Sequence, residues 1–172
     1  MRTTDRHIRT VAVTVAMSNV QCATLRTPAG NVNIFGSGKN IIRIGFGDAC
    51  TDGTVTDAIR TAMKQLNEYF SGKRKEFSIP FIVEGSELQK DVCRSLMSIP
   101  YGETRTYKEI AAAAGYPKAI RAVATAIGKN PIAIVIPCHR VIGSDGNMRG
   151  FGGGIPFKEY LLEVEGWKPR KR

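Results

Sequence analysis

The sequence is poor in residues that bind metals or build disulfide frameworks. Its 172 residues include two histidines and four cysteines. The cysteines form no CxxC pair, and no ligand pair stands at metal-binding spacing; they are Cys22, Cys50, Cys93 and Cys138. This distribution predicts no metal site, and it favours a reducing, cytoplasmic location.

Long hydrophobic runs are also missing. The most apolar stretch near the start, residues 11–17, alternates valine with alanine and threonine, and an aspartate, Asp5, precedes it. Such a stretch is too short for a membrane span and is unlike a secretory signal peptide. We therefore expect a globular protein that has no membrane partner.

Negative charge is scarce as well. There are 25 lysines and arginines against 15 aspartates and glutamates, a net charge of +10. Residues 110–144 contain no acidic residue, yet they include Lys118, Arg121, Lys129 and Arg140. A polyanion such as nucleic acid is the usual partner of such a chain, although a merely basic soluble protein has the same composition.

The amino-terminal half has the pattern of a small sheet followed by one helix. Residues 8–46 alternate in the manner of strands, with turn residues near 28–31 and 36–38. Residues 57–70 repeat apolar side chains at helical spacing. The apolar positions are Val11, Val13, Val15, Ile42, Ile44 and Phe46 in the strands, and Ile59, Ala62, Met63, Leu66 and Phe70 in the helix.

The carboxyl-terminal half is predicted to be mostly helical. Two N-terminal capping boxes, Ser86 with Gln89 and Thr106 with Glu109, open the first two helices. A third helix is predicted to span 118–129. The second and third are short and are joined by a turn at Gly115, which makes a helix-turn-helix candidate. Plain three-helix packing gives the same pattern. The predicted fold is α/β (α+β), with a small amino-terminal βα domain at 1–82 and a mostly helical domain at 83–172.

Cys138 differs from the other cysteines in its surroundings. It follows the apolar run 132–136, it stands beside His139, and a glycine-rich loop at 146–154 comes after it. A thiol with a pKa of ~8.5 needs a base to become a nucleophile at neutral pH. Adjacent side chains of an extended strand point to opposite faces, so His139 could serve only through a turn or a relaying water. A reactive Cys138 and a buried structural one both fit this pattern; the other three cysteines are predicted to be structural.

The sequence around Cys138, Ile136-Pro-Cys-His-Arg-Val141, resembles the active-site signature of the O6-alkylguanine-DNA alkyltransferases (methylated-DNA–protein-cysteine methyltransferases). Other segments resemble that family in order and spacing, and the similarity covers residues 86–167. They are Pro100-Tyr-Gly-Glu-Thr104, Thr106-Tyr-Lys-Glu-Ile-Ala111, Lys118-Ala-Ile-Arg-Ala-Val123, Gly128-Lys-Asn-Pro131, Lys158-Glu-Tyr-Leu-Leu162 and Glu165-Gly166.

The resemblance implies a role for each matching residue of the catalytic site. Cys138 is the expected alkyl acceptor, and His139 is the base that deprotonates it through a bound water. Glu165 orients the histidine, in a variant of the triad, and Asn130 braces the active-site segment. Tyr107 is expected to hydrogen-bond the flipped base at N3. From the residues alone, each role has an alternative: Glu165 as a solvated carboxylate, Asn130 as a helix C-cap, which is compatible with bracing, and Tyr107 as a packing side chain, which is the commoner case.

The resemblance also implies how DNA and the base are bound. Arg121, among small residues of the recognition helix, is expected to fill the space of the extruded nucleotide; otherwise it is a surface arginine. The expected DNA contacts are Tyr107, Lys108, Arg121, Ala122 and Ser144. The expected base pocket is formed by Val141, Phe151, Gly152 and Gly153. Phe151 stands where tyrosine is common in the family, and Gly152 where serine or tryptophan often stands, so the range of alkyl groups is open.

The function implied is single-turnover repair of O6-alkylguanine in double-stranded DNA by a monomer without cofactors. O4-alkylthymine is an additional possible substrate, and the zinc ligands of some relatives have no counterpart here. Three alternative functions fit the sequence less well. A helix-turn-helix transcription factor does not explain the motif around Cys138. A cysteine hydrolase would need a second histidine, and only His7 remains. A non-enzymatic lesion-binding relative lacks the acceptor cysteine.

Overall fold

The amino-terminal part forms a three-stranded antiparallel sheet. The computed structural model describes residues 20–50 and 55–168. Strands β1 (Val20–Thr27), β2 (Gly30–Ser37) and β3 (Asn40–Phe46) follow one another as a meander in that order. The first turn, at 28–29, lies where the sequence predicts it; the second falls at 38–39, because Gly36 and Ser37 of the predicted turn belong to β2. The predicted strand around Val11, Val13 and Val15 lies outside the described residues.

Strand β3 connects the sheet to the rest of the molecule. The prediction that Ile42, Ile44 and Phe46 share its inner face is wrong: Ile41 and Ile44 are buried, and Ile42 and Phe46 are only half-buried. The pairing with β2 shifts register at Phe35/Gly36, which places residues three apart on one face. The other edge of β3 bonds to the chain near Pro80 and Pro131.

Helix α1 (Asp57–Phe70) has the predicted bounds but a different buried face. Its hydroxyl cap is Thr56, which accepts a hydrogen bond from the backbone N–H of Ile59. Gln65 and Tyr69 are buried, whereas the predicted Met63 and Phe70 are half-buried. Gln65 is satisfied by Ser78, with two hydrogen bonds of 2.9 Å. Because buried polar side chains need hydrogen-bond partners and Gln65 has one, the face of α1 that is buried includes Gln65 and is not the purely apolar face.

Four further helices make up the carboxyl-terminal part: α2 (Glu87–Met97), α3 (Tyr107–Ala113), α4 (Ile120–Gly128) and α5 (Ile155–Val164). The box at Thr106 and Glu109 is complete. The box predicted at Ser86 is only half-formed, because the Gln89 amide donates to the carbonyl of Ala126 in α4 instead. Helix α4 begins two residues later than predicted, and no side chain caps it.

Helices α3 and α4 pack against each other and against α2, as a helix-turn-helix requires. The turn between them passes through Gly115, whose φ of +86° suits glycine. A short parallel pair, β4 (Arg105–Thr106) with β5 (Val141–Ile142), ties the start of α3 to the chain after Cys138. In α5, Phe157, Lys158, Leu161 and Leu162 are buried, whereas Tyr160 and Val164 are half-buried.

The hydrophobic core is continuous from the sheet to the helices. The fold is the mixed arrangement that the sequence predicts, with a small sheet and one helix before a mostly helical region. The division at residue 82 stays a prediction. None of the helices described in 20–50 and 55–168 is long and apolar enough to cross a membrane.

Candidate active site

Cys138 lies in a tight turn rather than at the end of an extended strand. The apolar segment 132–136 folds back on itself, since the N–H of Ile136 donates to the carbonyl of Ile132 at 2.9 Å. Ile134 adopts a left-handed φ of +73°, which is strained for a β-branched residue. A single 3₁₀ turn, Cys138–Arg140, follows. Cys138 is 8% exposed, and His139 and Arg140 are buried behind it.

Asn130 braces this turn from both sides. Its Nδ2 donates to the carbonyl of Ile136 at 2.7 Å, and its Oδ1 accepts from the N–H of Ile132 at 3.0 Å. The side chain therefore satisfies two backbone groups that the turn removes from any ladder. This is the bracing position that the sequence predicts for Asn130.

Glu165 contacts His139 directly. The Oε1 of Glu165 lies 2.7 Å from the Nε2 of His139, and neither side chain has any exposed surface. Because an ionised carboxylate can only accept hydrogen bonds, Nε2 carries the ring hydrogen and Nδ1 carries the lone pair. That Nδ1 is buried and has no hydrogen-bond partner within the described part of the chain.

The Glu165 carboxylate is surrounded by donors. Arg140 donates to both of its oxygens, from Nε at 2.9 Å and from Nη2 at 3.0 Å. The backbone N–H of Gly102 donates to Oε2 at 2.9 Å, and the hydroxyl of Tyr69 donates to Oε1 at 2.7 Å. Arg140 also donates to the carbonyl of Ile99. A buried charge is tolerated when it is paired and fully hydrogen-bonded, as it is here.

These contacts set the protonation states. Burial alone would raise the pKa of Glu165, but the hydrogen bonds and charges of His139 and Arg140 outweigh it and lower the pKa to about 2. Burial lowers the pKa of His139, against the opposing pull of Glu165. Burial raises the pKa of the Cys138 thiol, although Asn130 and Lys158 oppose the rise. At neutral pH the resting site therefore holds a carboxylate, a neutral imidazole and a thiol.

A cavity of about 150 Å³ opens above Cys138. Phe151 and Gly152 line it, as predicted, whereas Val141 and Gly153 do not. Val141 is fully buried beneath, and a Cβ at Gly153 would stand 2.9 Å from the ring of Phe46. The wall opposite comes from the amino-terminal sheet and the end of α4, which the sequence did not indicate. The lining residues are Arg43, Ile44, Gly45, Phe46, Ile127, Gly128, Asn130, Ala133, Cys138, Gly150, Phe151 and Gly152.

Tyr107 lies at the first position of α3, near the acceptor. Its hydroxyl donates to the carbonyl of Arg149 at 3.1 Å. Burial, and secondarily the charge of Cys138, raise the pKa of Tyr107, so it stays protonated at neutral pH. The same Arg149 carbonyl accepts from Nζ of Lys158 at 3.2 Å. Lys158 is 1% exposed, and it also donates to the carbonyl of Val141.

The predicted DNA-contacting residues are all accessible apart from the half-buried Tyr107. Arg121 and Ala122 are exposed on α4, Lys108 is exposed on α3, and Ser144 is exposed after β5. Next to Arg121, Ile120 is 39% exposed. Of the described residues, no group of three or more His, Cys, Asp or Glu side chains could hold a metal ion.

Two family models match the chain. The one described as the DNA binding domain of 6-O-methylguanine DNA methyltransferase matches residues 87–167. The one described as the ribonuclease-like domain of the same protein matches residues 20–82. The chain belongs to the 6-O-methylguanine DNA methyltransferase family. The predicted resemblance is thereby confirmed, and it extends to the amino-terminal half, where the sequence patterns showed only a likeness in length and order.

Relatives and solved structures of this methyltransferase family support the same membership. The methylated-DNA–protein-cysteine methyltransferase of Methanosarcina barkeri is 56% identical over 106 residues, which are 62% of this chain and 67% of the relative. The Mycobacterium tuberculosis protein of the same name is 42% identical over 83% of this chain and 90% of its own length. The crystal structure of M. tuberculosis O6-methylguanine methyltransferase superposes with a TM-score of 0.76 at 39% identity, covering 88% and 96% of the two chains. M. tuberculosis OGT in complex with DNA gives the same TM-score at 41% identity, covering 86% and 92%.

The structure brings Cys138, His139, Asn130 and Glu165 into one cluster, and three further residues that were not predicted contact the Glu165 carboxylate. Gly102 and Arg140 lie inside motifs that resemble the methyltransferase family, so their position was a usable signal. Tyr69 lies outside those motifs, and its place in a helix of the amino-terminal half gave no sign of a contact with the site.

Proposed function

We propose that this chain repairs DNA by transferring the alkyl group of O6-alkylguanine, typically methyl, to the sulfur of Cys138. Membership of the methyltransferase family supports the reaction class. The observation that carries the assignment of Cys138 is its position on the floor of a cavity, beside a buried His139–Glu165 pair. None of the other cysteines within the described residues lines this cavity.

The first step is loss of the thiol proton. His139 offers a free Nδ1, and one water between Sγ and Nδ1 would carry the proton across while satisfying a buried acceptor. His139 then becomes an imidazolium that donates through Nε2 to Glu165. Glu165 keeps its charge, because hydrogen bonds from Arg140, Tyr69, Gly102 and His139 already stabilise the carboxylate form.

Transfer is a displacement at the alkyl carbon. The thiolate of Cys138 forms a C–S bond while the C–O6 bond breaks, and that bonding pair moves into the guanine ring. The purine anion then needs a proton, and Tyr107 is the proposed donor at N3. To act, its hydroxyl must release the Arg149 carbonyl, which Lys158 continues to satisfy. The proton that left Cys138 passes through His139 and solvent to restore the Tyr107 hydroxyl, and the guanine exchanges its N3 proton for the usual one at N1, so no proton is gained or lost overall.

Double-stranded DNA would meet the exposed side of α4. We propose that Arg121 takes the place of the flipped nucleotide, with Ala122 allowing close approach and with Lys108 and Ser144 at the flanks. Extrusion of a base costs a few kcal/mol, part of which a side chain in the stack offsets. The net charge of +10 supplies attraction to phosphates without sequence preference.

Phe151 and Gly152 would contact the base and its alkyl group. A Cβ at Gly152 would meet nothing within 4 Å, so this side of the cavity is open. We propose that groups larger than methyl are accepted, and that O4-alkylthymine is a secondary substrate. S-alkylcysteine is a poor leaving group and no site residue regenerates it, so each molecule would act once, as a cytoplasmic monomer.

A repair assay with matched variants tests this proposal. Duplex DNA with one O6-methylguanine is incubated with the wild type, with Cys138→Ser and with Cys50→Ser, and restored guanine is measured after digestion. We expect one guanine per molecule of wild type or Cys50→Ser, and none with Cys138→Ser. Restoration of guanine by Cys138→Ser would contradict the assignment of the acceptor.

A further inference from the structure

A tyrosine from the amino-terminal half reaches the acceptor site. Tyr69 lies in the last turn of α1, and it is fully buried. Its hydroxyl donates to Oε1 of Glu165 at 2.7 Å. The oxygen of this Tyr69 hydroxyl also lies 3.4 Å from Nε2 of His139. Helix α1 belongs to the part matched by the ribonuclease-like model, whereas His139 and Glu165 belong to the DNA-binding part.

The hydroxyl is placed where it affects His139. Oε1 of Glu165 accepts from Tyr69, from His139 and from Arg140, so its charge is shared among three donors. Tyr69 has one hydroxyl hydrogen and uses it on Oε1. It therefore offers His139 only lone pairs, which favour the tautomer with hydrogen on Nε2.

We infer that Tyr69 is a positioning residue of the acceptor site, whose hydroxyl holds the Glu165 carboxylate and shares its charge, so that His139 stays neutral with Nδ1 free for the thiol proton. This inference rests on the proposed function, in which His139 is the base. It also gives the amino-terminal part a direct share in the chemistry.

Packing alone does not account for the hydroxyl. The Tyr69 ring lies against Phe70, Phe77 and Tyr101, with ring centroids 5.4 to 6.1 Å apart, and a phenylalanine would keep these contacts. The charged and titratable groups near His139 are Lys158 on α5, Glu165 directly after α5, Arg140 and Cys138 in its own turn, and Tyr69 on α1. Among them, Tyr69 is a neutral group that donates to Oε1 of Glu165, the same oxygen that accepts the hydrogen bond from His139.

The substitution Tyr69→Phe isolates this hydrogen bond. Without it, Oε1 has more charge available to stabilise the imidazolium, so the pKa of His139 should rise. A hydrogen bond to a charged group corresponds to a shift of about one pKa unit. The chain has only His7 and His139, so a ¹⁵N spectrum of labelled histidine contains two pairs of ring signals, one Nδ1 and one Nε2 from each residue, and His7→Gln assigns them. The same spectra report the tautomer.

The rate of Cys138 alkylation by free O6-benzylguanine should move with the titration. Because only the neutral imidazole accepts the thiol proton, the acid side of the pH–rate profile should shift upward by the same amount. Below the midpoint the rate would fall about tenfold, and at high pH it would approach the wild-type value. The matched control is Tyr101→Phe, since the Tyr101 hydroxyl donates to the carbonyl of Val164 at 2.9 Å and not to the carboxylate.

The inference is supported if Tyr69→Phe raises the His139 midpoint and displaces the profile while Tyr101→Phe changes neither. It is overturned if Tyr69→Phe leaves the titration, the tautomer and the profile unchanged and lowers only the melting temperature. If the variant does not fold, 3-fluorotyrosine incorporated into Tyr101→Phe supplies a more acidic donor, and the His139 midpoint should fall; an unchanged midpoint overturns the inference. The titration needs no alkyl transfer, so failure of the proposed function would appear separately, as no reaction in the wild type.

Discussion

At the scale of single residues, the ion pair expected to contribute most to stability is the buried one between Glu165 and Arg140. Its carboxylate faces Arg140 with little solvent contact for either side chain. The pair of Arg105 and Glu103 has the same distance of 2.9 Å, but it is a single contact between two solvent-exposed side chains. Solvent screens an exposed pair and not a buried one, so the two should differ widely in energy.

Glu165→Gln tests this contrast. Loss of the carboxylate leaves the Arg140 charge buried without a partner, so the free energy of unfolding should fall by about 3–5 kcal/mol. Glu103→Gln should cost less than about 1 kcal/mol. Denaturant unfolding of both variants gives the two values, and equal losses would mean that solvent reaches Glu165.

The same carboxylate predicts a pH dependence. The pKa of Glu165 is lowered to about 2 in the folded chain from an ordinary value of 4.5. A lowered carboxyl pKa contributes stability above the unfolded value, and this contribution is lost as the pH falls from about 4.5 towards 2. Wild-type stability should therefore decline over that interval more steeply than that of Glu165→Gln, as acid titration of the unfolding free energy would show.

Sequence patterns predicted the central residues of the site but not all of the residues that hold them in place. Cys138, His139, Asn130 and Glu165 were predicted from motifs, and the structure brings them together. Tyr69 was missed because the apolar spacing of α1 places Phe70, and not its neighbour Tyr69, on the buried face. Its direction is set by Glu165, which is 96 residues away along the chain.

At the scale of elements, helices were predictable and the acceptor segment was not. Apolar spacing predicted α1 to its ends. The run 132–136 has the composition of a buried strand, yet it turns back, because the Asn130 side chain bonds to both ends of the turn. Local pattern does not report such a contact, since it depends on one side chain rather than on periodicity.

Helix α4 carries the prediction that belongs to this scale. Arg121→Ala should slow repair of O6-methylguanine in duplex DNA by tenfold or more, because flipping costs a few kcal/mol. Reaction with free O6-benzylguanine requires no flipping and should be nearly unchanged. Lys39→Ala removes the same charge from an exposed turn of the sheet, and serves as the control.

Rates on the two substrates decide the role of Arg121. A selective loss on duplex that Lys39→Ala does not reproduce would support it as the residue that replaces the flipped base. Equal losses on duplex and free base, or equal losses in the two variants, would remove that role.

At the scale of the whole molecule, the two halves meet at the acceptor. Strand β3 forms one wall of the cavity and bonds to the segment before Cys138, while α1 supplies Tyr69. The order of sheet, helix and helical region was predictable from composition and caps. The contact between them was not, because no alternation or cap encodes which surface of β3 faces the cavity.

This junction predicts that repair destabilises the protein. An alkyl group on Cys138, which is only 8% exposed, must fit between the neighbouring side chains before it reaches the open side of the cavity at Gly152, and overpacking there costs about 1–3 kcal/mol. It also removes the thiol that His139 faces. The melting temperature should fall on methylation and fall further on benzylation. Melting curves of the unmodified, methylated and benzylated chains measure it, and identical midpoints would mean that the cavity is loose.

The central claim is that Cys138 accepts one alkyl group and is then spent. Intact mass followed by peptide mapping, after incubation with excess O6-methylguanine duplex, tests it most directly. The account predicts a single methyl group per molecule, located on the peptide that contains Cys138, with no further guanine restored after that point. Methyl on another cysteine, or more than one guanine restored per molecule, would contradict it.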